Sequence, residues 1–99
     1  MITVQNIMDY MEQLSPYSLK MDWDSVGLHC GSRTAPVKKI MLALDPFEHI
    51  CKEAAEWGAD LLLTHHPLLF HALPAVTDDS SIARSVMILV RNNISHFCS

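Results

Sequence analysis

The chain has 99 residues, 49% of them hydrophobic and 18% charged, which suits one domain with a hydrophobic core and excludes a largely disordered protein. Its net charge is −4 at pH 7, and the basic residues are scattered, so a nucleic-acid surface built on charge is not indicated. No apolar run reaches the roughly 20 residues of a membrane span, and the N-terminus lacks the basic flank of a secretory signal. Three cysteines without CxxC spacing favour a reduced cytoplasmic setting over a disulfide framework or a zinc ribbon.

The first predicted element is an amphipathic helix at the N-terminus. Apolar residues recur there at helical spacing, from Val4 to Leu14, and Thr3 is placed to cap the helix. Residues 15–36 lack periodicity and contain several Pro and Gly residues, which indicates an irregular segment. Within that segment, residues 26–28 are predicted to form a short edge strand.

A strand, a helix and a second strand follow. The apolar run 40–44 suits a strand buried on both faces of a parallel sheet. Asp45 is predicted to cap the next helix, with Pro46 in its first position and Gly58 as a left-handed stop. Residues 61–64 form the next buried strand, so the unit is predicted to be βαβ, with parallel strands and a right-handed crossover.

The same pattern of elements continues to the end of the chain. Capping residues at 78–81 precede apolar residues at helical spacing over 82–90, and Asn92 and Asn93 mark the end of this predicted helix. Residues 94–98 are predicted to form a third strand. The predicted fold is α/β: an N-terminal helix followed by a β-α-β-α-β unit with a mostly parallel sheet. We expect residues 1–99 to form a single domain.

The strongest candidate site is the histidine pair His65 and His66, because ligands of open α/β sheets bind beyond the carboxyl ends of parallel strands. Neutral imidazole is a common ligand of divalent transition metals. Adjacent residues of an extended chain point to opposite sides, and Pro67 favours that conformation, so one ring for each of two metal ions is easier than both rings on one ion. The same spacing also suits histidines that cap a strand and bond to backbone, and the spacing alone does not decide between the two.

The other polar residues have simpler interpretations. Asp45 is better explained as a helix cap than as a ligand, and His96 on the third strand as a hydrogen-bonded interior histidine. The remaining histidines are interpreted as surface or loop residues: His29, His49 and His71. The acidic residues on either side of a tryptophan, Asp22 and Asp24, are interpreted in the same way. Cys30 beside His29 does not by itself make a catalytic dyad.

Three segments together resemble a known family. They are 23–28 (WDSVGL), 40–45 (IMLALD) and 58–70 (GADLLLTHHPLLF), the last being the most specific. They resemble the N-terminal part of the GTP cyclohydrolase I type 2 family, the Nif-three-like dinuclear metal proteins, and the resemblance covers essentially all 99 residues. Ser25 stands where the family usually has Asn.

The resemblance implies a cytoplasmic homohexamer with two divalent metal ions per subunit, zinc, manganese or iron, bound by His65 and His66. The family's other ligands, an Asp after a His-Thr segment and a His and a Glu near the C-terminus, fall after Ser99. A divalent ion normally takes three or more protein ligands, so we expect this chain alone to hold metal weakly and to lack activity. We therefore expect it to be the N-terminal part of a longer protein, with strands left uncovered that the missing part would cover.

Three functions follow as hypotheses. The first is a metal-binding protein whose intact form uses two ions to hydrolyse GTP or a related nucleotide. The second is a non-enzymatic metal-binding scaffold or interaction module. The third, a thiol enzyme that uses Cys30, has the least support.

Overall fold

A computed structural model describes residues 1–14 and 26–99 of the chain. Its elements are α1 (Val4–Leu14), β1 (Gly27–Cys30), β2 (Ile40–Ala43), α2 (Glu48–Trp57), β3 (Leu61–Thr64), α3 (Ser81–Arg91) and β4 (Ser95–Cys98). Among the described residues, no helix is long and apolar enough to cross a membrane.

The four described strands form one mixed sheet in the order β1-β4-β3-β2. Strand β3 runs parallel to both β2 and β4, with Leu62 opposite Met41 on one side and His96 on the other. Strand β1 closes the other edge antiparallel to β4, with an irregularity in register near its end. The α/β class and the mostly parallel sheet predicted from the sequence are confirmed.

The two faces of the sheet pack against different helices. One hydrophobic cluster joins Leu62 of β3 to Cys51 and Ala54 of α2 and to Leu89 of α3. The other joins Leu61 and Phe97 of the sheet to Val4 of α1 and to Val37. Strands β3 and β4 are thus covered on both sides, which the apolar run 61–63 suggests for β3, whereas β4 also buries the polar residues Ser95 and His96.

Strand β2 differs from its prediction. It was expected to be buried on both faces, but it lies at an edge of the sheet, and Leu42 is 72% exposed. Leu44, just after it, is also exposed. The apolar run therefore identified a strand but not its place in the sheet.

The signals for most helix boundaries are confirmed. Thr3 and Asn6 exchange hydrogen bonds between side chain and backbone N–H at the start of α1. Ser80 caps α3 by accepting from the N–H of Ala83 at 3.2 Å. Gly58 ends α2 at φ 82°, in the left-handed conformation that glycine adopts without strain.

The predicted start of α2 is wrong. Phe47 occupies the N-cap position with no side-chain hydrogen bond, and Pro46 precedes the cap instead of standing inside the helix. Asp45 lies two residues before Phe47 and does not cap α2. Its carboxylate has a different partner, described below.

Candidate functional site

The candidate site lies where β2 and β3 end. Ala43 is opposite Thr64 in the parallel register, and the ladder continues beyond the strands, because the N–H of His66 donates to the carbonyl of Leu44 at 2.9 Å. The residues that follow the two strands therefore lie side by side. His65 and His66 both leave β3 on this edge with exposed side chains.

The chain bends at the two histidines. Their ring centroids are 5.1 Å apart and their planes are inclined at 45°. The prediction that the rings point to opposite sides is wrong, because it assumed an extended backbone that the bend replaces. His65 and His66 present two neighbouring imidazoles at the surface.

Hydrogen bonds from the end of β3 and from the neighbouring strand β4 hold the backbone of this bend. The hydroxyl of Thr64 donates to the carbonyl of His66 at 2.6 Å, and the thiol of Cys98 donates to the carbonyl of His65 at 3.3 Å. Thr64 and Cys98 are both buried. The two rings thus project from a backbone anchored in the sheet.

A carboxylate lies against one of the rings. Nδ1 of His66 is 2.6 Å from Oδ1 of Asp45, and the two side chains are 50% and 26% exposed. This contact replaces the predicted helix cap. Sequence reasoning missed it, although the parallel register places residues 45 and 66 at the same distance beyond their strands.

Behind the bend lies a second histidine pair. His96 is fully buried, and its Nε2 is 2.7 Å from the hydroxyl oxygen of Thr64. Because that hydroxyl uses its one proton on the carbonyl of His66, the Nε2 of His96 is the donor. The ring of His29 meets that of His96 edge-on at 5.5 Å, and Nδ1 of His29 accepts from the N–H of Leu69 at 3.3 Å.

The prediction for His96 is confirmed only in part. The ring is interior, but among the described residues its Nδ1 has no hydrogen-bond partner. Burial, and secondarily the nearby His29, lower the pKa of His96 to about 3. His96 is therefore neutral at pH 7. His29 was placed in an irregular loop by the sequence and lies in β1 instead.

The other candidates do not join the site. His49 and His71 are exposed and contact the phenyl rings of Phe47 and Phe70. Burial raises the pKa of the Cys30 thiol, which is the opposite of what a thiolate nucleophile needs. Asp22 and Asp24 lie outside the described residues.

The described residues fit part of a metal site. The exposed imidazoles of His65 and His66 are suitable donors, and the carboxylate beside His66 is typical of metal-binding histidines. Within residues 1–14 and 26–99, however, no group of three or more His, Cys, Asp or Glu side chains is arranged to hold a metal ion. The described residues therefore bring two imidazoles and one carboxylate to this end of the sheet.

The chain is an α/β protein with an open sheet, and paired histidines follow a central strand of that sheet. The family model for Duf34/NIF3 (NGG1p interacting factor 3) matches residues 2–99, and the chain belongs to that family.

Relatives support this assignment. A "GTP cyclohydrolase 1 type 2 homolog" of Clostridium perfringens is 42% identical over 92 residues, which cover 93% of this chain and 35% of the relative. Among solved structures, a Bacillus cereus "protein related to NIF3" is 30% identical with a TM-score of 0.91, covering 98% of this chain and 27% of that one. "Reduced HcgD" of Methanocaldococcus jannaschii is 31% identical with a TM-score of 0.90, covering 99% and 39%. The chain thus spans about a quarter to two fifths of the length of these relatives.

Proposed function

We propose that this chain is the part of a divalent-metal protein that supplies one histidine to each of two ions, His65 and His66. The pair of exposed imidazoles on an anchored bend, one of them bonded to a carboxylate, is the observation that carries the assignment of the two donors, and the division of one histidine to each ion follows the family resemblance. Neither a strand cap nor a buried core role explains such a pair. Histidines that serve the fold would bond to backbone, as Nδ1 of His29 does.

The residues around the site would hold and orient the two donors. Thr64 and Cys98 fix the carbonyls of the two histidines, so the rings start from a defined backbone. Neutral His96 lies beneath them without adding a positive charge that would repel a cation. Two bound divalent ions, zinc, manganese or iron, would supply an activated water for hydrolysis.

We further propose that the intact protein hydrolyses GTP or a related nucleotide and that it works as a cytoplasmic homohexamer. The name of the Clostridium perfringens relative supports the substrate class. The additional ligands that each ion needs would come from chain beyond the matched part of the fold.

Substitution of the two histidines tests the metal site. The Zn²⁺ affinity of the intact protein, measured without a histidine tag by competition with a chromophoric chelator, is expected to fall more than about tenfold in His65→Ala and in His66→Ala, since each removes a ligand. The surface variants His49→Ala and His71→Ala are matched controls and should bind as the wild type does. Any hydrolysis of GTP by the intact protein should fall in the same two variants. Equal binding by all four variants would contradict the proposal, and no Zn²⁺ binding by the intact wild type would favour the interaction-module hypothesis.

A further inference from the structure

The register of β2 and β3 brings Asp45 and His66 together. Ala43 and Thr64 are paired, so residues 45 and 66 each stand two positions beyond the pair. The hydrogen bond from the N–H of His66 to the carbonyl of Leu44 keeps this alignment past the strand ends. The contact between Oδ1 and Nδ1 at 2.6 Å is therefore set by the sheet and not by a flexible surface encounter.

The contact determines which nitrogen of His66 carries the proton. A carboxylate only accepts, so Nδ1 of His66 must donate its hydrogen to Asp45. In the neutral ring the lone pair is then on Nε2, the atom that is not next to Asp45. Imidazoles that bind metals commonly donate their other N–H to a carboxylate in this way, which also makes the ring a better donor.

Stability does not explain the pair. Both side chains are partly exposed, and contacts of this kind at the surface contribute little to folding stability. Asp45 does not cap α2, which begins beyond Phe47 without a side-chain cap. Among the described residues, no carboxylate bonds to His65, so the two histidines are not equivalent.

We infer that Asp45 is a positioning residue that fixes His66 with Nε2 as its metal-binding atom, so that one of the two metal positions depends on Asp45 and the other does not. The inference rests on the proposed metal site. It adds a residue that acts through His66, and it predicts unequal responses of the two ions to one substitution.

Two measurements test the inference, and the first needs no metal. In ¹H–¹⁵N spectra of the metal-free protein at pH 8, where free imidazole is neutral, His66 should be protonated at Nδ1. In Asp45→Ala the proton should move toward Nε2. Asp45→Asn should retain the wild-type pattern in part, because its amide oxygen can still accept. Asp9→Ala, which removes an exposed carboxylate from α1, should leave the pattern unchanged.

The second measurement is the Zn²⁺ titration of the same variants. Asp45→Ala should lower the affinity for one Zn²⁺ ion about 10–100-fold and leave the affinity for the other unchanged. The affinity of Asp45→Asn for the first ion should lie between those of Asp45→Ala and the wild type. Thermal unfolding of each variant identifies any loss of fold.

The outcomes separate the two proposals. Zn²⁺ binding that is weakened in His66→Ala but unchanged in a folded Asp45→Ala overturns the inference and leaves the metal site standing. An unchanged tautomer in Asp45→Ala also overturns it. A wild type that binds no Zn²⁺ overturns the metal site, and with it the role of Asp45 toward metal, whatever the tautomer shows.

Discussion

Replacing Gly31 with Ala is expected to lower the free energy of unfolding more than the same replacement at Gly27 or Gly58. Gly31 has φ 106°, a conformation that other residues rarely adopt. An added Cβ would also overlap Ser95 in β4, at 2.5 Å from its Cβ and 2.6 Å from its Cα. Since the second atom belongs to the backbone, a side-chain rotation cannot relieve the overlap, and the end of β1 must move.

Gly27→Ala is the matched control for this effect. Gly27 has φ 122°, but a Cβ there meets no atom within 4 Å, so only backbone strain of about 1–3 kcal/mol is expected. Gly31→Ala should cost roughly 1–3 kcal/mol more, the usual range for forced overpacking. Chemical denaturation of both variants measures the difference. Equal losses would show that β1 does not approach β4 as closely as described.

Acid is expected to destabilise the protein through His96. The folded-state pKa of about 3 is below the unfolded value near 6.5, so the unfolded chain binds the proton more readily between these pH values. The contribution of His96 to stability is therefore intact above about pH 6.5. It falls as the pH drops toward 3, with a slope of up to about 1.4 kcal/mol per pH unit.

His96→Gln should flatten that slope, because Gln can donate to the hydroxyl of Thr64 but does not gain a charge. His71→Gln changes an exposed histidine and is expected to keep the wild-type pH dependence. Urea unfolding between pH 4 and 7.5 gives the three profiles. A His96→Gln profile parallel to that of the wild type would show that His96 is not held neutral by burial.

Local sequence signals predicted most of the elements. Helical spacing of apolar residues and the caps at Thr3 and Ser80 placed α1 and α3, and Gly58 marked the end of α2. These features succeed because each is decided within a few residues of chain. The resemblance and the position at a strand end also identified His65 and His66 as the candidate site.

Contacts between distant parts of the chain were not predictable in this way. Whether Leu42 is covered depends on the order of strands in the sheet, and an apolar run does not contain that order. Asp45 was assigned to the nearest helix, but its partner is 21 residues away and depends on the register of β2 against β3. Whether Nδ1 of His96 has a hydrogen-bond partner likewise depends on what the strands and the bend place around it, and within residues 1–14 and 26–99 it has none.

Anomalous diffraction from crystals grown with Zn²⁺ tests the metal assignment most directly. We expect separate peaks about 2.0–2.1 Å from an imidazole nitrogen of His65 and from Nε2 of His66, with Asp45 still on Nδ1. Density that shows both rings bonded to protein groups, with zinc peaks only elsewhere on the molecule, would contradict the account.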